Sequence, residues 1–428
     1  MSTQEPEPSS LSFSRFALEV KPEGAFEVLA LAKTLIAAGK DVIELEIGDS
    51  PYPAPSAAVA AGIAAIEQGH SHYAPSAGIA EFRAAASHYV NREFGLNTTA
   101  ENIIAGPGAK TFQTLFAEAV LNPHDGVLVF SPYFPTYPPN IQRRGARMVL
   151  SALKQARYFR PNIDDIADFL EHDKAPKAII LNSPHNPTGG VALLEDLIAI
   201  ADLIRGRDVA VFSDEPYDQM AWDDTHHSLL AQPDMIDQCV AAYTFSKSFS
   251  MSGWRLGFSV SSPAMAMMLS KLTNTVLSCV PPFVQFAGAA ALTESLAERD
   301  QVMNDFRDKV TELVARLNQI PGVSCLKPGG SFYAFPCVAG ICNDNAITSH
   351  GLAMFLLEAA DESKGVACLG GECFGEAGSG FLRMSCSETL ERIIDAVDFI
   401  HASLSAPDKI AAYLDERPHY RLQQPYVV

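Results

Sequence analysis

Between about residue 100 and residue 262, short apolar runs alternate with segments of helical period, and no other feature restricts the chain's fold as much. Candidate strands fall at 102–105, 126–130, 146–150, 177–181, 209–212, 239–245 and 258–260. Several are apolar at successive positions rather than at every second one, as befits parallel strands covered on both faces. Stretches between them, such as 194–205, repeat apolar residues at helical spacing. The pattern predicts an α/β protein with a large, doubly wound, mostly parallel sheet. In such sheets ligands gather beyond the carboxyl ends of the strands.

A second region follows a helical stretch over 282–320 that Pro321-Gly322 stops. Strand-like segments at 323–326, 331–335 and 381–385, a helix near 352–361, a Gly-rich loop at 370–380 and a helix from Glu388 describe a smaller α+β domain. The expected division is 55–300 for the large domain and 301–405 for the small one, which the N-terminal segment 1–54 completes. Residues 406–428 lack a clear period and read as an extension, surface-packed or partly disordered.

At 428 residues there is ample material for two cores. The formal net charge of −19 argues against nucleic acid or an anionic membrane as a partner. Eight cysteines lie scattered, mostly in apolar runs and without a C-x-x-C pair, which suits a reducing cytoplasm and gives no metal pattern. Residues 1–14 are polar and acidic and do not read as a signal peptide; no apolar run approaches membrane-spanning length.

Chemistry-bearing residues cluster where the candidate strands end. Lys247 leaves the apolar run at 239–245 into a loop crowded with Ser246, Ser248, Ser250 and Ser252, with Arg255 shortly after. An amine beside hydroxyls and a fixed cation suits a Schiff base next to a bound phosphate, although a surface lysine in a Ser-rich loop is the plainer reading of any single lysine. Gly106-Pro107-Gly108-Ala109 opens a helix where small residues let a phosphate approach free N–H groups; alone, it is more often merely a turn. Two X-Pro bonds stiffen 182–190 and aim Asn186 inward, or Asn186 serves only a turn. Asp214 at a strand exit could hold a protonated pyridine nitrogen, with Tyr217 and Asn186 on the ring oxygen; the alternatives are helix capping or a metal, for which no ligand cluster exists. An aromatic in 131–137 can stack on a heteroaromatic ring or simply fill core. Arg383 is a cation inside an apolar strand and needs a partner, either a structural acid or a substrate carboxylate.

With these residues assembled, the chain closely resembles the class I/II aminotransferases, the aspartate aminotransferase superfamily of pyridoxal phosphate (PLP) fold type I. The likeness runs from about Arg15 to Ser405 and includes Ile47-Gly48-Asp49-Ser50-Pro51, the segment from His72 to Ile79, and Gly253-Trp254-Arg255-Leu256-Gly257. The resemblance implies a PLP enzyme that moves an amino group between an L-α-amino acid and a 2-oxo acid by ping-pong chemistry. Lys247 would form the internal aldimine and shuttle the proton, Asp214 would pair with the pyridine nitrogen, and Asn186 and Tyr217 with the ring oxygen. Phe134 would stack on the ring. Gly108, Ala109, Ser246 and Arg255 would hold the phosphate, and Tyr73 would reach the phosphate of a neighbouring subunit in a homodimer. Arg383, with the backbone at Gly48, would clamp the substrate carboxylate. A lyase or cyclising synthase on the same fold, or a non-catalytic PLP-binding regulator, are the competing readings. Glu118 falls where some dicarboxylate-using relatives carry a basic residue. Facing the site it would oppose a second substrate carboxylate; facing solvent it means nothing.

Overall fold

Side chains that are apolar at every position need cover on both faces, and the runs with that pattern lie side by side in one sheet. The computed structural model describes residues 11–20, 22–223 and 225–427. Residues 1–10, which carry most of the segment read as lacking a signal, lie outside the described residues. In chain order the strands are β1 (Asp41–Glu44), β2 (Ile103–Gly106), β3 (Gly126–Ser131), β4 (Arg147–Ala152), β5 (Pro176–Asn182), β6 (Ala210–Asp214), β7 (Cys239–Thr244), β8 (Gly257–Val260), β9 (Tyr333–Ala334), β10 (Lys364–Ala367), β11 (Leu369–Gly370) and β12 (Leu382–Ser385). The large sheet has the order β2-β8-β7-β6-β5-β3-β4. Only β8 runs against its neighbours β2 and β7, and the other pairs are parallel.

Alternate residues of β3 serve opposite faces. Leu128 and Phe130 join a core with Phe82, Tyr89 and Phe258, whereas Val127 and Val129 join Phe112, Phe116 and Leu269. The first face is covered by helices Ala80–Phe94 and Pro282–Glu294, the second by Ala109–Val120 and Pro263–Leu277. Parallel register places Asn182 beside Asp214 at one edge of the sheet, so the turns after β5, β6 and β7 open into the same space.

A second core gathers Phe306, Phe332, Phe355, Leu382 and Ile400. Here β1 pairs in parallel with β10, and β12 lies between β11 and β9 in an antiparallel sheet. The helical stretch expected over 282–320 is two helices, Pro282–Glu294 and Leu296–Leu317, which meet at Ser295. The first buries Val284, Ala287 and Ala291 against the large sheet, and the second buries Phe306, Val310 and Leu313 in the other core. One straight helix cannot face both. The expected strand at 323–326 reduces to a single bridge, Ser324 with Cys337.

The reading of 406–428 as an aperiodic extension is corrected. Pro407–Glu416 is a helix, with proline in its first turn where a missing N–H costs nothing. Its Ile410, Tyr413 and Leu414, spaced three and four apart, are buried in the second core. The chain beyond returns to bridge Arg421 with Ile347. All eight cysteines are unpaired. Among the described residues no helix is long and apolar enough to cross a membrane.

Candidate active site

Eleven of the twelve singled-out residues line, or lie against, one cleft of about 590 Å³ between the carboxyl edge of the large sheet and the second core. Its lining includes Gly48, Ala109, Phe134, Asn186, Asp214, Tyr217, Ser246, Lys247, Arg255 and Arg383, and Gly108 immediately precedes Ala109. Tyr73 stands apart: it is 90% exposed and does not line this chain's cleft.

After β7 the backbone doubles back, with Met251 N–H donating to the Phe245 carbonyl, and this turn presents Lys247. Lys247 Nζ donates to the carbonyl of Gly48 and lies 5.9 Å and 5.6 Å from the ring centroids of Tyr217 and Phe332. Gly48 tolerates no side chain, because a Cβ there would fall 1.8 Å from the Tyr333 hydroxyl.

Asp214 ends β6 and is buried. Its Oδ2 accepts from Tyr137 at 2.7 Å and Gln113 at 3.3 Å, while Oδ1 is buried without a partner. Burial pushes its carboxyl up to about 6, against the pull of the Tyr137 and Gln113 hydrogen bonds. Asn182 steadies the same corner. Its amide donates to the Asp214 carbonyl at 2.8 Å and its oxygen accepts from Asn186 N–H at 2.9 Å. The peptide bonds before Pro132, Pro184 and Pro187 are cis.

Tyr217 and Tyr333 hydroxyls lie 3.0 Å apart, and burial raises the Tyr217 phenol well above its ordinary value. Arg383 is buried, donating through Nη1 to Asn186 Oδ1 at 3.2 Å and through Nη2 to the Glu46 carbonyl, with Nε unpartnered. The rings of Tyr333 and Phe374 pack on its guanidinium at 4.5 Å and 5.0 Å.

At the other end of the cleft Arg255 donates to the Ser252 carbonyl at 2.8 Å and the Pro107 carbonyl at 3.0 Å, with Ser246 Oγ at 3.5 Å. Gly108 has φ +87°, and a Cβ there would come within 2.6 Å of Arg255 Nη2. The helix Ala109–Val120 begins at this point, so its free N–H groups and a guanidinium converge on a spot with no side chain in the way. Chemically, such an arrangement can hold an anion.

The structure decides between the two readings of Glu118. It pairs with Arg144 at 3.0 Å and is not among the residues lining the cleft. Sequence reasoning missed Gln113, Tyr137, Asn182 and Tyr333. Gln113 stands one helical turn beyond Ala109 and Asn182 ends a strand as Asp214 does, so helix period and strand-end position pointed to both. Tyr137 and Tyr333 read as core aromatics, and nothing local marked their hydroxyls.

The description of the family whose model matches residues 40–398 is aminotransferase class I and II. An aspartate aminotransferase of Pyrococcus horikoshii is 31% identical over 369 residues, covering 85% of this chain and 91% of that protein. A probable aspartate/prephenate aminotransferase of Aquifex aeolicus is 32% identical, covering 90% and 96%. Among solved structures, Thermus thermophilus aspartate aminotransferase with maleate superposes with a TM-score of 0.85 at 28% identity, covering 92% of this chain and all of that one. With the α/β fold and the cleft already described, these likenesses mean that the chain belongs to the class I and II aminotransferases and is a transaminase.

Proposed function

We propose that the protein moves an amino group between an L-α-amino acid and a 2-oxo acid by ping-pong turnover, with pyridoxal 5′-phosphate carried on Lys247. The observation that carries this reading is the convergence in one cleft of an amine, an acid with a free buried oxygen, an anion cradle and a buried arginine. Aminotransferases of this kind use PLP, and the residues present fit it. Asp214 Oδ1 lacks a donor, which a protonated ring nitrogen supplies, and the Gly108–Arg255 corner is shaped and charged for a phosphate.

In this reading Arg255, Ser246, Gly108 and Ala109 hold the phosphate, Asn186 and Tyr217 hydrogen-bond the ring oxygen, and Phe134 stacks on the ring. When bound, the cofactor supplies an aldehyde carbon that accepts the amino group and a cationic ring that stores the electrons released at the substrate Cα. Lys247 Nζ, once the incoming amino group has displaced it, would take the proton from Cα, hold it briefly as an ammonium within reach of the Gly48 carbonyl and pass it on to the carbon that receives the amino group, which restores the free amine. Arg383 grips the α-carboxylate, which fixes the Cα–H bond relative to Lys247. Glu118 contributes no charge selection among substrate side chains, because its carboxylate is held by Arg144 outside the cleft.

Residues 55–300 act as the cofactor-holding domain, and 301–405 with the N-terminal segment as the smaller one. Tyr73, almost fully exposed in a single chain, is read as reaching the phosphate of a second copy, so the working unit is a homodimer with shared sites. Eight unpaired cysteines and the high negative charge favour a cytoplasmic protein without nucleic acid or membrane partners.

The test is spectroscopic. Purified protein saturated with PLP should have a visible absorbance band that bleaches with an amino acid and returns with a 2-oxo acid. Lys247→Ala should still take up the cofactor and fail to turn over, and borohydride should label Lys247 in the wild type only. A colourless wild type with position 247 unlabelled refutes the reading.

A further inference from the structure

The least expected polar contact in the cleft is the one made by Tyr137. Its ring is fully buried, at the start of the helix Tyr137–Arg143, and packs edge-on to Phe134 at 5.9 Å. Its hydroxyl has one proton to give, and at 2.7 Å that proton goes to Asp214 Oδ2. Gln113 gives a second hydrogen bond to the same oxygen at 3.3 Å, and Thr136 fixes which way the Gln113 amide points by donating to its Oε1 at 2.6 Å. Two donors on Oδ2 and none on Oδ1 make the two carboxylate oxygens unequal. One is anchored, and the other is left as an acceptor in a buried position on the cleft.

We propose that Tyr137, assisted by Gln113 and Thr136, is a positioning residue that holds Asp214 ionised and turned so that Oδ1 is the oxygen offered to the cofactor's ring nitrogen. This rests on the PLP reading above. The physical need is plain: a buried carboxyl tends to keep its proton, and a neutral acid cannot hold a pyridinium. Burial and the neighbouring Glu215 push the Asp214 carboxyl up, while Tyr137, Gln113 and the more distant Lys110 oppose them. Tyr217 faces the same group with a phenol that burial keeps protonated, so it adds no competing charge at neutral pH. A carboxyl that loses the Tyr137 donor holds its proton to higher pH. Cofactor affinity, which needs the ionised form, then falls off at a higher pH than in the wild type.

The experiment titrates apoprotein with PLP from slightly acidic to mildly alkaline pH, for wild type, Tyr137→Phe and Gln113→Met. A hydrogen bond to a charged group predicts that Tyr137→Phe weakens binding about ten- to hundredfold near neutral pH and moves the acid-side inflection upward. Gln113→Met should shift both in the same direction by less, since its bond is longer. A merely structural tyrosine would lower the melting temperature without moving the inflection. Folded Tyr137→Phe with wild-type affinity and inflection overturns the inference and leaves the proposed function standing. Should Tyr137→Phe fail to fold, an unmoved inflection in Gln113→Met overturns the inference instead. Wild type that binds no PLP overturns the proposed function and this inference with it.

Discussion

Replacing Arg383 by lysine keeps the positive charge and removes the planar fork, and it separates a carboxylate clamp from a structural cation. Arg383 is buried, with two aromatic rings on its guanidinium and Nη1 anchored on Asn186. An ammonium can neither stack between Tyr333 and Phe374 in that way nor bind a carboxylate through two parallel N–H groups. Each hydrogen bond to a charged group contributes about 1.5–3 kcal/mol, so losing a two-point grip costs about 3–6 kcal/mol before the lysine recovers part of it by charge. We expect kcat/KM for amino acids in the half-reaction to fall roughly 10²–10³-fold, while cofactor affinity changes by no more than a few-fold. The assay is single-turnover bleaching of the cofactor band with an L-amino acid and with the corresponding amine that lacks a carboxylate. The amine should react slowly and equally with both proteins. If Arg383→Lys slows amino acid and amine by the same factor, the arginine holds the fold and not the substrate.

The other predictions concern single contacts. Gly108→Ala places a methyl 2.6 Å from Arg255 Nη2 at a φ of +87° that alanine resists, so PLP should dissociate at least about tenfold faster; an unchanged off-rate in stopped-flow exchange refutes the anion cradle. Glu118→Ala breaks a half-exposed ion pair with Arg144, which contributes about 0–1 kcal/mol, and should leave the ranking of amino acids in a half-reaction panel unchanged; a new preference for acidic substrates refutes its placement. Glu46 is buried with no partner on either carboxylate oxygen, and burial pushes its carboxyl up to about 7. A carboxyl raised on folding stabilises fully below its unfolded value, and that contribution is lost as pH rises through the folded one. Glu46→Gln should therefore flatten the fall in melting temperature between weakly acidic and neutral pH; an unaltered slope refutes the assignment.

The chemistry of the site was more legible than its supports, for physical reasons. Asp214, Asn186 and Ser246 lie just where a core strand stops, and the change from apolar run to polar turn is visible in any window of the sequence. The inner runs of the large sheet were legible because both of its faces are covered and β3, β7 and β8 are buried at every position, whereas the edge strand β4 is largely exposed and showed only as a short apolar stretch after Arg147. The second core was harder. β10 reads Lys-Gly-Val-Ala and owes its conformation to β1, far away in the chain, while β11 is only two residues long and pairs with β12 shortly after it. The helix Pro407–Glu416 was missed because its apolar face has only three residues, among charges that gave the segment the look of a tail.

The two halves of the site come from different cores, and among the polar contacts that join them three are made by residues of the site itself. Lys247 bonds to Gly48, Tyr217 to Tyr333, and Arg383 to Asn186. In each pair one member follows a strand of the large sheet, and the other lies in β9, in β12 or in the segment after β1. Every one of these residues except Tyr333 also has a proposed chemical task, so groups that would bind and transform a substrate also help to hold the two cores together, alongside contacts such as Lys110 with Glu23 and Ser50 with Ser250. A substitution at any of them therefore acts twice, on its own bond and on the spacing of the opposite wall. Kinetic losses at Lys247, Tyr217 and Arg383 should accordingly be less than additive when combined, since the first change already releases part of what the second would remove. A double variant Tyr217→Phe with Arg383→Lys whose loss in kcat/KM equals the product of the single losses would show that the two walls are independent.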